Sequence, residues 1–399
     1  MPRTINDPDR APDPATLPVF VPDEEANGPE QPPARGWTLA PAPPDEAENF
    51  RAARQDDECC RVTAGELQDF VTRLFEATGL SARHAQLCAE TFVLQEMRGV
   101  HHHGLARLPA TLEALESGTL NPSPRQRILH DSGAMLLLDA DRAPGMIACH
   151  DAMSRAMAKA DGAGIGMAVV RNSSHFLAAA PYCIRAANRG YIGIAFSNSP
   201  ASMAYPGAKG AVLGNGPFGF AAPTDAGFPI VFDSAMTVSG GRLIEMAQGG
   251  ETLPAALAGL DENGNPTTDP TAILDGGSTQ PIGLHKGAGL VLLFEILTGL
   301  LGGGAFLYGE TPELTSETQC CIAVRTDRFM PADQFLGRMT AYVRGIANEA
   351  RSTGGEALLP GERAQHALET SLANSLEIDA AARQELRVWA QRLDVDAPF

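Results

Sequence analysis

From Thr63 onward the chain alternates between apolar positions at helical spacing and short unbroken apolar runs. Thr63 and Glu66 form a capping-box pattern, and Leu67, Phe70, Val71, Leu74 and Phe75 then recur on one helical face, predicting a helix that stops at Gly79. Ser81 opens a second helix towards Met97, and LARLPATLEALESG (105–118) predicts a third. RILH and AMLLLDA predict a strand pair across Asp131-Ser132-Gly133. A helix follows at about 146–161, then the apolar strand GIGMAVV ahead of Arg171, a helix near 178–189 and the strand YIGIAFSN. The Gly- and Pro-rich stretch 200–285 carries the strand PIVFD and a helix near 238–248. Beyond it the pattern predicts helices at 286–301, 331–350, 362–375 and 379–393, with a strand at CCIAVRT.

Buried strands alternating with helices indicate an α/β or α+β core. The expected domain spans 61–399, with 62–125 and 320–399 mainly helical and 126–319 forming the central sheet and cofactor part. The segment before it is of another kind. Twelve of the 30 prolines precede residue 45, and residues 1–60 hold 13 acids against five arginines. Such a stretch buries too little apolar surface to offset its ordering entropy, so residues 1–60 are expected to be a disordered extension dispensable for folding.

The net charge of −18 argues against nucleic acid or an anionic membrane as the main partner. No apolar run reaches membrane length. The longest, GLVLLFEILTGLL, is interrupted by Glu295 and reads as a buried helix. The N-terminus lacks the plan of a secretory signal, and the seven cysteines include no Cys-x-x-Cys, so reduced thiols in a cytoplasmic protein are expected. Only three cations are lysine (Lys159, Lys209, Lys286), which singles out Lys286 at the first turn of a predicted helix. A cation there opposes the helix dipole and calls for a negative partner.

The candidate chemistry is spread along the chain. RGVHHHGLARLP (98–109) places three histidines between arginines, but consecutive side chains diverge, so no metal site is expected. The run Gly214, Gly216, Gly219 matches Gly-x-Gly-x-x-Gly, yet Pro217 lies inside it and no amphipathic helix follows, so a Rossmann phosphate loop is rejected. RNSSHF (171–176) ends an apolar strand, where ligands of α/β sheets bind, and its neighbours could fix the tautomer of His175. Asp233 ends another apolar strand.

The order of these features resembles the type 2 malate/L-lactate dehydrogenase family, which includes ureidoglycolate, sulfolactate and diketogulonate dehydrogenases and cyclic-imine reductases. The matches are Arg98-Gly99, His103-Gly104 and Arg107, then Asn172, His175 and Phe176, then Asn198-Ser199 and Pro206-Gly207. They continue through Gly214 and Pro217, Asp233 and Ala235, DENGNPTTDP at 261–270, and Lys286-Gly287 with Glu295.

The resemblance implies a non-Rossmann fold that binds NAD or NADP, a homodimer, and reduction of a C=O or C=N beside a carboxylate. It makes His175 the proton donor/acceptor, Arg107 the grip on the substrate carboxylate and His103 a lining of the nicotinamide end. It places Asn198, Ser199, Asp233, Ser234, Ala235 and Lys286 at the cofactor. His102 stands where the family has serine, and Leu177 where it has glycine, so these two and Asn172 are expected to shape the substrate pocket. Asn215, Gly216 and Ser234 depart from the family pattern too, and the alternative these departures raise is a retired enzyme acting as a binding or scaffold protein.

Overall fold

The computed structural model describes residues 60–309, 313, 316–352 and 358–399. The extension expected over 1–60 lies outside the described residues apart from Cys60. Described structure opens with β1 (Cys60–Val62) and α1 (Ala64–Ala77). Both halves of the capping box form: Glu66 N–H donates to Thr63 Oγ1 (3.2 Å) and Thr63 N–H to Glu66 Oε2 (2.9 Å). The five apolar positions of α1 are all buried, and α2 (Ala82–Met97) starts at its Ser81 cap. After α3 (Leu108–Glu116) the hairpin of β2 (Arg127–Ser132) and β3 (Met135–Ala143) turns at Gly133, whose φ of 55° suits glycine. α4 (Gly145–Ala163) then crosses to β4 (Ile165–Ser173), which lies parallel to β3.

The chain continues through α5 (Ala180–Ala187), β5 (Tyr191–Ser197), the ribbon β6 (Ala201–Ala204) and β7 (Ala211–Gly214), then β8 (Phe218–Ala222) and β9 (Ile230–Ser234). Next come α6 (Arg242–Gly249), the short pair β10 (Gly259–Leu260) and β11 (Pro266–Thr267), α7 (Pro270–Leu274) and α8 (His285–Glu295), which runs into a π-helical turn, Ile296–Leu300. β12 (Glu317–Arg325), α9 (Ala332–Ser352), α10 (Glu362–Ala373), β13 (Leu376–Ile378) and α11 (Ala380–Arg392) complete it. The main sheet has the order β2-β3-β4-β12-β5-β8-β9. Only β3 and β4 pair in parallel, so the α/β expectation resolves into a mixed sheet.

Strand alternation divides the core between the faces of this sheet. Ala168, Val170, Cys321 and Ala323 join the cluster that contains α4 and α5, whereas Val169, Phe196 and Cys320 join Val291 and Phe294 of α8. Among the described residues no helix is long and apolar enough to cross a membrane.

Three expectations change. The helix placed at 178–189 starts only at Ala180, because Leu177 turns the chain with a φ of 66°. The one placed at 238–248 runs Arg242–Gly249. GLVLLFEILTGLL is not buried all round: Val291 and Phe294 are covered, whereas Leu290, Leu293, Ile296, Leu300 and Leu301 are exposed, Leu301 by 63%. The sheet covers only one side of that helix.

Candidate active site

The three histidines occupy a 3-10 turn between α2 and a second such turn, Leu105–Arg107, that leads into α3. Glu96 sets this turn. It is 7% exposed, accepts Leu105 N–H at Oε2 (3.0 Å) and meets exposed His101 Nδ1 at Oε1 (2.5 Å). The histidines diverge as adjacent side chains must. His101 turns to Glu96, His102 lies against Gly241, where a side chain would meet its ring, and the ring of His103 stands 5.4 Å from that of His175. The His102 and His103 rings are 4.5 Å apart.

His175 follows β4 on a loop braced from three sides. Gly145 N–H donates to Ser174 Oγ (2.8 Å), Gln319 Nε2 to the Ser174 carbonyl (2.8 Å), and Tyr182 O–H to the Phe176 carbonyl (2.7 Å). α4 begins so close to the Ser174 and His175 carbonyls that position 145 admits no side chain. Leu177 N–H donates to His175 Nδ1 (3.2 Å), which leaves Nε2 for external chemistry. The Leu177 side chain is 2% exposed and packed in the core, so it acts on the site through its backbone rather than by filling a pocket.

Electrostatics keep these rings neutral. Burial, aided by Arg107 and His102, pushes His175 down to about 3. Burial, with His175, His102 and Arg107, holds His103 well below the usual imidazole range, and its buried Nδ1 has no partner. Arg107 forms no ion pair among the described residues. The turn and the loop after β4 together offer a guanidinium and two neutral imidazoles, a set suited to hold an anion and move a proton.

The other expected site residues divide in two. Asp233, Ser234 and Lys286 are exposed. Asp233 accepts Ala180 N–H at Oδ2 (2.7 Å), and the crowding protein around it lifts its carboxyl to about 6. Ala235 is half-buried beside it. Ile282 N–H donates to the Met236 carbonyl (3.0 Å) and Thr237 bridges to Pro281, so the end of β9 and the loop before Lys286 lie together.

Asn198, Ser199 and Asn172 are engaged within the protein. Asn198 is 2% exposed, donates to the Ala305 carbonyl (2.8 Å) and accepts Thr318 N–H (2.9 Å). Ser199 Oγ donates to Asn215 Oδ1 (2.7 Å) and accepts Asn215 N–H (3.0 Å). Asn172 donates to Asp139 Oδ1 (3.0 Å) and is not brought to the histidines. The run Gly214-Gly219 leads from β7 into β8 with no helix after it. Among the described residues no cluster of His, Cys, Asp or Glu could hold a metal.

Two charged residues went unassigned in the sequence. Arg98, 6% exposed, acts electrostatically on Asp233. Glu317, 1% exposed, lies in the field of Arg107. Its run, Glu-Thr-Gln before CCIAVRT, looks like a polar loop, which hid a buried strand start.

The profile of the family described as malate/L-lactate dehydrogenase matches residues 62–387. The malate dehydrogenase of Pyrococcus abyssi is 31% identical over 87% of this chain and 98% of its own length. Among solved structures, the malate dehydrogenase of Pyrococcus horikoshii superimposes with a TM-score of 0.78 at 27% identity, covering 86% of this chain and 98% of that one. The delta1-piperideine-2-carboxylate reductase of Pseudomonas syringae pvar. tomato does so with a TM-score of 0.75 at 31% identity, covering 83% and 100%.

Proposed function

The chain belongs to the malate/L-lactate dehydrogenase family, and from that premise we propose that it interconverts a 2-oxo or 2-imino acid and its 2-hydroxy or amino counterpart with NAD or NADP. The observation that carries this reading is the pairing of His175 with His103, with Arg107 acting on both rings and forming no ion pair among the described residues. The residues fit a dinucleotide: His103 Nδ1 is buried without a partner, and Asp233, Ser234 and Lys286 present polar groups to solvent where β9 meets the loop before α8. Lys286 and Ser234 would hold phosphate or ribose, and His103 and Ala235 the nicotinamide end. Bound there, the reduced nicotinamide supplies a hydride.

Arg107 grips the substrate carboxylate and so fixes the reacting carbon. His175 exchanges a proton with the substrate oxygen or nitrogen. Its neutral resting form suits acceptance from a 2-hydroxy acid. In the reducing direction it must first be protonated, and a carboxylate on Arg107 favours this by cancelling part of the field that opposes the imidazolium.

Mixing the protein with NADH or NADPH and a panel of 2-oxo acids and cyclic imines should consume the reduced-nicotinamide absorbance. No turnover, together with no cofactor binding by calorimetry, would leave the binding-protein alternative. The five described free cysteines, all buried, suit a reducing cytoplasm.

The exposed apolar row on α8 and its π-turn supports a homodimer, since a patch of this kind marks an interface. Sedimentation at low micromolar concentration should give about twice the 42.0 kDa chain mass. A folded, active monomer sinks the dimer.

A further inference from the structure

β3 and β4 pair without interruption from Met135 opposite Met167 to Asp139 opposite Arg171, and the next pair is Ala143 opposite Ser173. Residues 140–142 of β3 therefore stand against the single residue Asn172 of β4, and the two strands bulge together. Asp141, Arg142 and Asn172 all take left-handed backbone, with φ of 55°, 57° and 55°. Residues other than glycine hold that conformation only where their surroundings fix it. Asp139 supplies the fixing. It is 7% exposed, and its Oδ1 accepts Asp141 N–H (2.9 Å) from its own strand and Asn172 Nδ2 (3.0 Å) from β4. Its Oδ2 lies 3.7 Å from Arg127 Nη2 and 3.9 Å from Arg171 Nε. A carboxylate only accepts, so the amide nitrogen of Asn172 is the end that meets it.

Both strands leave this bulge for the site. β3 passes through Pro144 into α4, and β4 passes through Ser173 and Ser174 to His175. The two exits are fitted to each other. Gly145 N–H donates to Ser174 Oγ (2.8 Å), and the Ser174 and His175 carbonyls lie where a side chain on residue 145 would stand. With so little room, a turn of either strand at the bulge is passed on to His175. Bulges beside active sites re-aim a side chain in this way. The Asp139–Asn172 bond is the side-chain hydrogen bond that ties one bulged strand to the other.

We propose that Asn172 is a positioning residue for His175: clamped to Asp139, it fixes the bulge of β4 and with it the direction in which the His175 ring enters the site. The inference rests on His175 as the proton-transfer residue. It gives Asn172, which turns to Asp139 and not to the histidines, a part in the reaction through the backbone.

Asn172→Gly tests this, because glycine takes a φ of 55° freely and only the amide is lost. The substrate is the 2-oxo acid or cyclic imine that the wild type reduces fastest, and the rate is read in single turnovers so that product release does not mask it. That rate should fall about tenfold, a fraction of the roughly 10²-fold that a 1 Å misplacement costs. KM and the calorimetric affinity for NADH or NADPH should stay within about twofold of wild type, since binding contacts are untouched. In the His175→Ala background the same substitution should change the rate by less than about twofold, because the ring it positions is gone. Asn172→Asp, which sets a second carboxylate against Asp139, is read in the same way if the glycine variant does not fold. An unchanged rate overturns the proposal. So does a fall that persists in the His175→Ala background, or one matched by equal losses in KM and cofactor affinity, since either marks general support of the fold. His175→Ala alone separates the two failures. If it keeps the wild-type rate, or if the wild type reduces none of the panel, the reading of the site is wrong and the proposal falls with it. If His175→Ala loses the rate and the Asn172 outcomes are absent, only the proposal falls.

Discussion

Replacing His175 by alanine is expected to lower turnover by roughly 10²–10⁴-fold, the loss associated with a missing general acid or base, while cofactor affinity stays near wild type. The ring stands against His103, its Nδ1 is engaged by Leu177 N–H, and among the described residues no hydrogen bond is made to its Nε2. The pH profile tells this role from a structural one. His175 is pushed down to about 3 in the free site, so the imidazolium needed for reduction is a small fraction near neutrality. That fraction falls tenfold for each unit of pH above the pKa, so reductive kcat/KM should decline as pH rises. The oxidative direction uses the neutral ring and should not follow that decline. Steady-state rates in both directions across pH 6–9 check this. An alanine variant that keeps both the rate and the slope would remove His175 from the chemistry.

Local patterns were legible and long-range placements were not. The Thr63–Glu66 box, the Ser81 cap and the runs GIGMAVV and YIGIAFSN declare themselves because capping and burial act over a few residues. The insertion of β12 between β4 and β5 joins segments more than 100 residues apart, which no local pattern reports. The site divides in the same way. His103, Arg107 and His175 were found from motif order, and the electrostatic influence of Arg107 reaches both rings. Asn198, Ser199 and Leu177 occupy family positions but spend their polar groups or side chains inside the protein, a fact that depends on partners such as Asn215, Thr318 and the Ala305 carbonyl. Glu317 was missed because a polar residue at a strand end looks like a loop until its burial is known. GLVLLFEILTGLL misled for the converse reason, since composition does not say whether one chain or two cover a helix.

Arg107→Met should cost about 10²–10³-fold in kcat/KM, about 3–4 kcal/mol and inside the range of about 2–5 kcal/mol lost when one partner of a desolvated charge pair is removed. The loss should fall mainly on KM, because the guanidinium holds the substrate carboxylate before and after hydride transfer alike. Arg107→Lys should recover only part of it, since an ammonium keeps the charge but cannot make the paired hydrogen bonds of a planar fork. A second effect carries the opposite sign. Arg107 is among the causes that depress His175, so its removal should raise that pKa and move the fall of the residual reductive rate to higher pH. Michaelis constants and pH profiles for wild type and both variants test the two effects together. A variant with normal KM would place the substrate carboxylate elsewhere, and one with raised KM but an unmoved profile would mean that Arg107 holds the substrate without setting the charge of His175.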